Sequence, residues 1–74
     1  MLDTNTIDTV SQIIKNTRKE QGLTQEDLAG LSGTGRRFIS ELECGKQRVQ
    51  LDKVLLVLNA LGLSLTISNK WQNR

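Results

Sequence analysis

An all-α domain of four to five short helices, closed by one short C-terminal β-strand, is the architecture this sequence predicts. Three observations carry that expectation. Apolar residues recur at three- and four-residue steps through four separate segments. Gly30, Gly33 and Gly35 crowd the centre of the chain and interrupt the pattern between the second and third segments. Apolar-polar alternation with β-branched members occurs in "LSLTIS", Leu63 to Ser68.

The first helix is expected from about Ile7 to Gln21, because Ile7, Val10, Ile14 and Thr17 share one stripe. Thr6 can cap its start, and Gly22 is the natural stop. Thr24 follows, with Asp27 three residues later, the spacing of a capping box. Helix two then spans roughly Gln25 to Leu31 and turns Leu28, Ala29 and Leu31 inward. So short a helix would not persist alone in water and must be held by its neighbours. Ser32, Gly33, Thr34 and Gly35 form a turn, with Thr34 as the cap available to the next helix. Helix three carries Phe38, Ile39 and Leu42 on one stripe and stops at Gly45.

After the polar stretch Lys46 to Gln50, helix four carries Leu51, Val54, Leu55, Leu58 and Leu61, with Gly62 past its end. Leu56 and Val57 are expected to point away from that stripe, an apolar surplus suited to a partner surface. The strand, Leu63 to Ser68, has no partner of its own kind in the sequence. Pairing with the same strand of a second chain would satisfy it. The expected dimer interface is therefore Leu56, Val57, Leu63, Leu65 and Ile67. Residues 1–68 read as one domain, and residues 69–74 as a short polar tail.

Composition excludes more than it assigns. A chain of 74 residues is near the lower size limit for a self-sufficient core. With Cys44 as its one cysteine and no histidine, it can form neither an internal disulfide nor a Cys/His metal site, so oligomerisation is the expected source of added stability. Without histidine, a Gly-rich phosphate loop or a nucleophile elbow, catalysis and cofactors are not expected. The formal net charge of +2 is mildly basic and not diagnostic of a partner. The polar N-terminus has no signal-peptide run, and Val54 to Leu58 is too short to span a membrane. A cytoplasmic location follows as the expectation.

Two short helices joined by a turn of about four residues describe a helix-turn-helix. Ala29 is small where the helices cross, and Gly33 falls where the turn favours a positive φ. Ile39 and Leu42 plug the second helix onto the first. In this motif the N-terminal end of the second helix enters the DNA major groove, and Arg36 and Arg37 stand there. "LTQEDLA", the Gly33 turn, "FISELECGK" and "LDKVLLVLNALGLSL" resemble the Xre/Cro family of helix-turn-helix regulators, over about Val10 to Leu65. The resemblance implies a lambda-repressor-like DNA-binding domain. Within the family, the short length and the "LNALGLSLTI" ending are most similar to HipB-like antitoxins. Those are dimers that repress their own operon and pair with a HipA-like serine/threonine kinase toxin.

Candidate contacts follow from position and resemblance together. The resemblance implies that Gln25, beside Thr24 at a capped helix start, binds a phosphate and braces the recognition helix. At least one of Arg36 and Arg37 is expected to touch DNA, by reading guanine O6 and N7 or by clamping phosphate. Ser40, one turn on, faces the same way. Glu41 can accept from a cytosine amino group or pair with Arg37 four residues earlier, the pair being favoured. Lys46 and Arg48 look like backbone clamps. Lys15, Arg18 and Lys19 read as solubilising charges, although Arg18 is placed to pair with Glu43. Phe38 reads as core and Cys44 as an inert helix-end residue. Trp71 has two readings, an indole folded back on its own dimer or an anchor for a partner protein.

The leading functional expectation is a dimeric repressor that binds an inverted-repeat operator and neutralises a HipA-like kinase. A stand-alone phage-type repressor, or a controller protein of a restriction-modification system, is the near alternative. A protein-binding adaptor without DNA affinity is the alternative of a different class.

Overall fold

A computed structural model of the chain describes residues 6–45 and 48–67. The side chains of Thr6 and Ile7 lie outside the described residues, as do the expectations placed on Lys46, Ser68 and Trp71. Four helices follow one another: α1, Thr6–Glu20; α2, Gln25–Ser32; α3, Arg36–Glu43; and α4, Leu51–Ala60. Every helix bound falls within one residue of its expected place, or just beyond, because the glycines and caps that set those bounds are local signals. Thr6 proves to be the first residue of α1 and not the residue preceding it.

The start of α2 is a complete capping box. The Asp27 amide donates to Thr24 Oγ1 at 2.9 Å, and the Thr24 amide donates to Asp27 Oδ2 at 3.0 Å. Two otherwise orphaned backbone donors are thus satisfied, an arrangement whose loss typically costs ~1 kcal/mol. The helix ends at Gly33, whose φ of 74° and ψ of 20° lie in the left-handed region. The Ala29 carbonyl accepts from the amides of both Gly33 and Thr34, which turns the chain sharply toward α3.

Ile14, Leu28, Ile39, Leu42 and Val57 are fully buried, so all four helices feed one core. Ala29, Val54, Leu58 and Leu61 complete it, with Val10, Leu23, Phe38, Val49 and Leu63 packed at its edge. α2 lies against both α3 and α4, and α1 lies against α3. The Gln21 side chain closes the far end by donating to the Leu61 carbonyl at 2.9 Å.

Helix four is turned differently from the expectation. Val57, assigned to an outward face, is 0% exposed, while Leu51 and Leu55, assigned to the inward stripe, are 64% and 43% exposed. The inward set is Val54, Val57, Leu58 and Leu61. Burying one aliphatic side chain of this size stabilises by about 1.5–3 kcal/mol, so Val57 is a core residue and not a contact surface. Leu56 does face outward, at 48% exposure, in company with Leu51 and Leu55. Leu31 is also corrected: it stands 63% exposed on the outer side of α2.

Residues 63–67 form no strand within the single chain, where the sequence predicts one. Leu63 is half-buried against the core, whereas Leu65 and Ile67 are exposed. No helix among the described residues is long and apolar enough to cross a membrane.

Candidate nucleic-acid interface

Helices α2 and α3 are locked together beneath their outer surfaces by a buried polar network. Arg18 on α1 donates to Glu43 on α3 through Nε at 2.6 Å and Nη2 at 3.0 Å. Its Nη1 donates to the Leu23 carbonyl, just before α2, at 2.6 Å. The Arg18 and Glu43 side chains are only 9% and 3% exposed. The hydrogen bond to Glu43 raises the Arg18 pKa above its already high ordinary value, and burial opposes that rise. One bidentate ion pair therefore joins α1, the entry to α2, and the end of α3. The pairing of Arg18 with Glu43 was legible from the sequence, whereas the bond to the Leu23 carbonyl had no sequence signal.

Gln25 joins the same network, donating from Nε2 to Glu43 Oε1 at 3.2 Å. An amide nitrogen carries two hydrogens, so one remains to meet an acceptor such as a phosphate oxygen. Thr24 stands exposed beside it, its Oγ1 accepting from the Asp27 amide. Asp27 is a counterweight. Hydrogen bonds from the Thr24 amide and then its side chain lower the Asp27 pKa, so the carboxylate stays charged. It is folded back onto the Thr24 backbone, where the α2 dipole also favours it.

Helix α3 begins at Arg36, preceded by Gly35, which has extended geometry and offers no side-chain cap. Thr34 does not serve as that cap. Its hydroxyl is paired with Ser32 Oγ at 2.8 Å, and Ser32 in turn donates to the Ala29 carbonyl. First-turn amides of α3 that no side chain caps therefore stand beside Arg36 and Arg37, both exposed. This combination attracts negative charge through aligned N–H groups and fixed cations together.

The two arginines differ. Arg37 Nε bonds Glu41 Oε2 at 3.3 Å, an i,i+4 pair in which Arg37 is 91% exposed. Arg36 makes no ion pair among the described residues, and neither does exposed Arg48. Ser40, half-buried, follows Arg36 by one turn. Lys53 was not anticipated. It sits over the Phe38 ring, with Nζ 5.7 Å from the centroid, and adds a cation beside α3. Only the folded arrangement, which brings Lys53 of α4 to Phe38 of α3, reveals that contact. Phe38 itself is half-buried at the core edge, and Cys44 is exposed at the α3 C-terminus. No group of three or more potential metal ligands occurs among the described residues.

Comparison with known proteins places these features in a wider set. A family model described as helix-turn-helix matches residues 14–67. An uncharacterized HTH-type transcriptional regulator, y4mF of Sinorhizobium fredii, is 48% identical over 58 residues, covering 78% of this chain and 76% of its own. Among solved structures, a mutant of the restriction-modification controller protein C.Esp1396I superposes with a TM-score of 0.72 and 35% identity, over 85% of this chain and 80% of that one. A chain of a HipA-HipB-O2-O3 complex superposes with a TM-score of 0.79 over 95% of this chain and 96% of that one. At 24% identity, the last likeness is one of fold.

Proposed function

The chain belongs to the helix-turn-helix family, of the Xre/Cro type, and is a DNA-binding regulator; from that premise we propose a dimeric repressor that also serves as a HipB-like antitoxin. The observation that carries the DNA-reading part is the start of α3. Arg36 and Arg37 flank open helix amides on a helix whose far end is bolted to α1 and α2 through Glu43. A rigid rod tipped with cations is what major-groove reading requires. Arg36 is assigned to base edges, with Arg37 and Ser40 beside it. Thr24, Gln25, Lys46 and Arg48 are assigned to phosphates. The protein acts without catalysis or cofactor, in the cytoplasm.

The antitoxin part is supported by near end-to-end fold likeness to the chain from the complex with HipA. A second reading, a restriction-modification controller, is supported by the higher identity to C.Esp1396I. The neighbouring gene separates them: a kinase-like reading frame favours the antitoxin, and a methyltransferase favours the controller. For the kinase reading, a protein of kinase size should co-purify from the native source. Deleting Trp71 to Arg74 should weaken that complex if the tail is an anchor, with DNA binding intact.

DNA reading is tested by selecting a duplex from a random pool and measuring fluorescence anisotropy against a scrambled control. An inverted repeat with half-sites about one helical turn apart, roughly 34–36 Å, is expected. Equal affinity for both duplexes would remove the operator-binding reading.

Dimerisation is assigned to residues 63–67 together with the outward face of α4, Leu51, Leu55 and Leu56. Ile13, also 47% exposed, borders an apolar groove with Val10, Leu58, Leu63 and Leu65 that extends this surface. Leu65→Pro deletes an amide that strand pairing would use. Sedimentation at low micromolar concentration should then show monomers or unfolded chain. A stable dimer of that variant would rule out pairing through this segment.

A further inference from the structure

We propose that Lys53 grips the DNA backbone on the side of the recognition helix opposite to Gln25, and that the Phe38 ring is the seat that holds it there. The proposal rests on the reading of α3 as the helix that enters the major groove, and gives that reading its second wall. Helix α3 turns Ile39 and Leu42 into the core. At 3.6 residues per turn, Arg36, Arg37 and Ser40 fall on its outward arc. Phe38 and Glu43 stand at the two edges of that arc, about 140° apart across the inward side.

Each edge carries a side chain from another helix. Glu43 receives Gln25 of α2 at 3.2 Å. Phe38 receives Lys53 of α4, whose Nζ stands 5.7 Å from the ring centroid, within cation–π range. The major groove is about 12 Å wide and has one phosphate backbone along each side, so a helix lying in it meets two walls. Gln25 is tied to one edge of α3, and Lys53 is the cation tied to the other. A cation already seated loses less conformational freedom when it meets a phosphate than one free to swing.

A lysine stem lying along an aromatic ring is ordinary surface packing. Two features go beyond it. Lys53 is the third residue of α4, in a first turn where the helix dipole favours an acid such as its neighbour Asp52 and disfavours a cation. Among the described residues it has no carboxylate partner, and the helix on which it leans opens with two more cations, Arg36 and Arg37. In the free protein Lys53 therefore opposes both local fields, and an arriving phosphate reverses that.

The test uses the full chain on its selected operator duplex, with phosphates replaced one at a time by uncharged methylphosphonate on either strand. Fluorescence anisotropy across a salt series reads the affinity. Wild-type protein should lose affinity at several positions in each half-site. Lys53→Ala should bind operator and scrambled duplexes several-fold more weakly and flatten the salt slope by about one unit per subunit. It should also become indifferent to one methylphosphonate that weakens the wild type. Gln25→Ala should become indifferent to another, on the opposite strand across the groove. Lys53→Arg, which keeps the charge and the ring contact, should retain the wild-type pattern. Phe38→Leu keeps apolar bulk without the ring face, so it should weaken binding in the wild type and add little in a Lys53→Ala background.

A Lys53→Ala protein with the wild-type salt slope and the full set of sensitive phosphates would overturn the proposal. So would a lost phosphate on the same strand and wall as that of Gln25. Phe38→Leu weakening binding equally with and without Lys53 would overturn the ring's part as the seat. All three results leave the DNA-binding reading standing. Only a wild type that binds no DNA, or whose affinity ignores every methylphosphonate, would bring that reading down and this role with it.

Discussion

Replacing Glu43 with alanine should destabilise the protein by about 3 kcal/mol, the low end of the range for breaking a buried ion pair. The variant strands the Arg18 guanidinium, which cannot shed its proton, among side chains that exclude water. The bond from Arg18 to the Leu23 carbonyl remains, which is why the low end applies. Small domains have about 5–15 kcal/mol in total, so the loss is a large fraction. Replacing Arg18 and Glu43 together with apolar residues of similar volume should recover most of it. Urea denaturation followed by circular dichroism measures all three chains. A cost below about 1 kcal/mol for Glu43→Ala, the size of an exposed pair, would show that water reaches the network. Gln25 would lose its anchor in the same variant, so DNA affinity should fall even where the fold survives.

The second large effect is expected at the start of α3. Arg36→Ala should cost about 1–3 kcal/mol per half-site and relax the preference at one base pair in each. Arg37 must first leave Glu41, but an exposed i,i+4 pair is worth only about 0.3–0.5 kcal/mol and yields readily to DNA. Arg48→Ala should weaken operator and scrambled duplexes about equally, and flatten the salt dependence by about one unit per lost phosphate contact in each subunit. Lys46→Ala should behave like Arg48→Ala. Anisotropy on both duplexes across a salt series separates the two classes. If Arg36→Ala and Arg37→Ala both resemble Arg48→Ala, the arginines do not read sequence. Specificity would then fall to Ser40, Glu41 or the shape of the DNA.

Local chemistry is legible in the sequence alone. Thr24 with Asp27, the glycine after α2, and the steps among Ile39, Leu42 and Glu43 each declare themselves within a few residues. The Arg37–Glu41 pair is of the same kind. Helix four was legible as a helix but not in its rotation. It carries apolar residues at 51, 54, 55, 56, 57, 58 and 61, almost all round, so periodicity alone cannot say which face turns inward. The common core takes in Val57 and leaves Leu55 exposed. Thr34 was misread because a hydroxyl next to a helix start has two outlets, and Ser32 took it. The bond from Gln21 to the Leu61 carbonyl joins residues 40 apart in the chain, so no spacing rule could have found it.

Gly35 bears on how readily this surface can be retargeted. Its φ of −107° and ψ of 156° are open to any amino acid, and a Cβ there would meet no atom within 4 Å. Exchanging glycine for serine or asparagine at such a helix start changes stability by only a few tenths of a kcal/mol. The fold therefore places almost no constraint on which residue stands at the mouth of the recognition helix, one step before Arg36. Selection on operator preference can act at this position nearly free of selection on folding. A glycine here leaves the site blank, and a lineage that acquires a longer polar side chain gains a new contact on a scaffold that does not have to change.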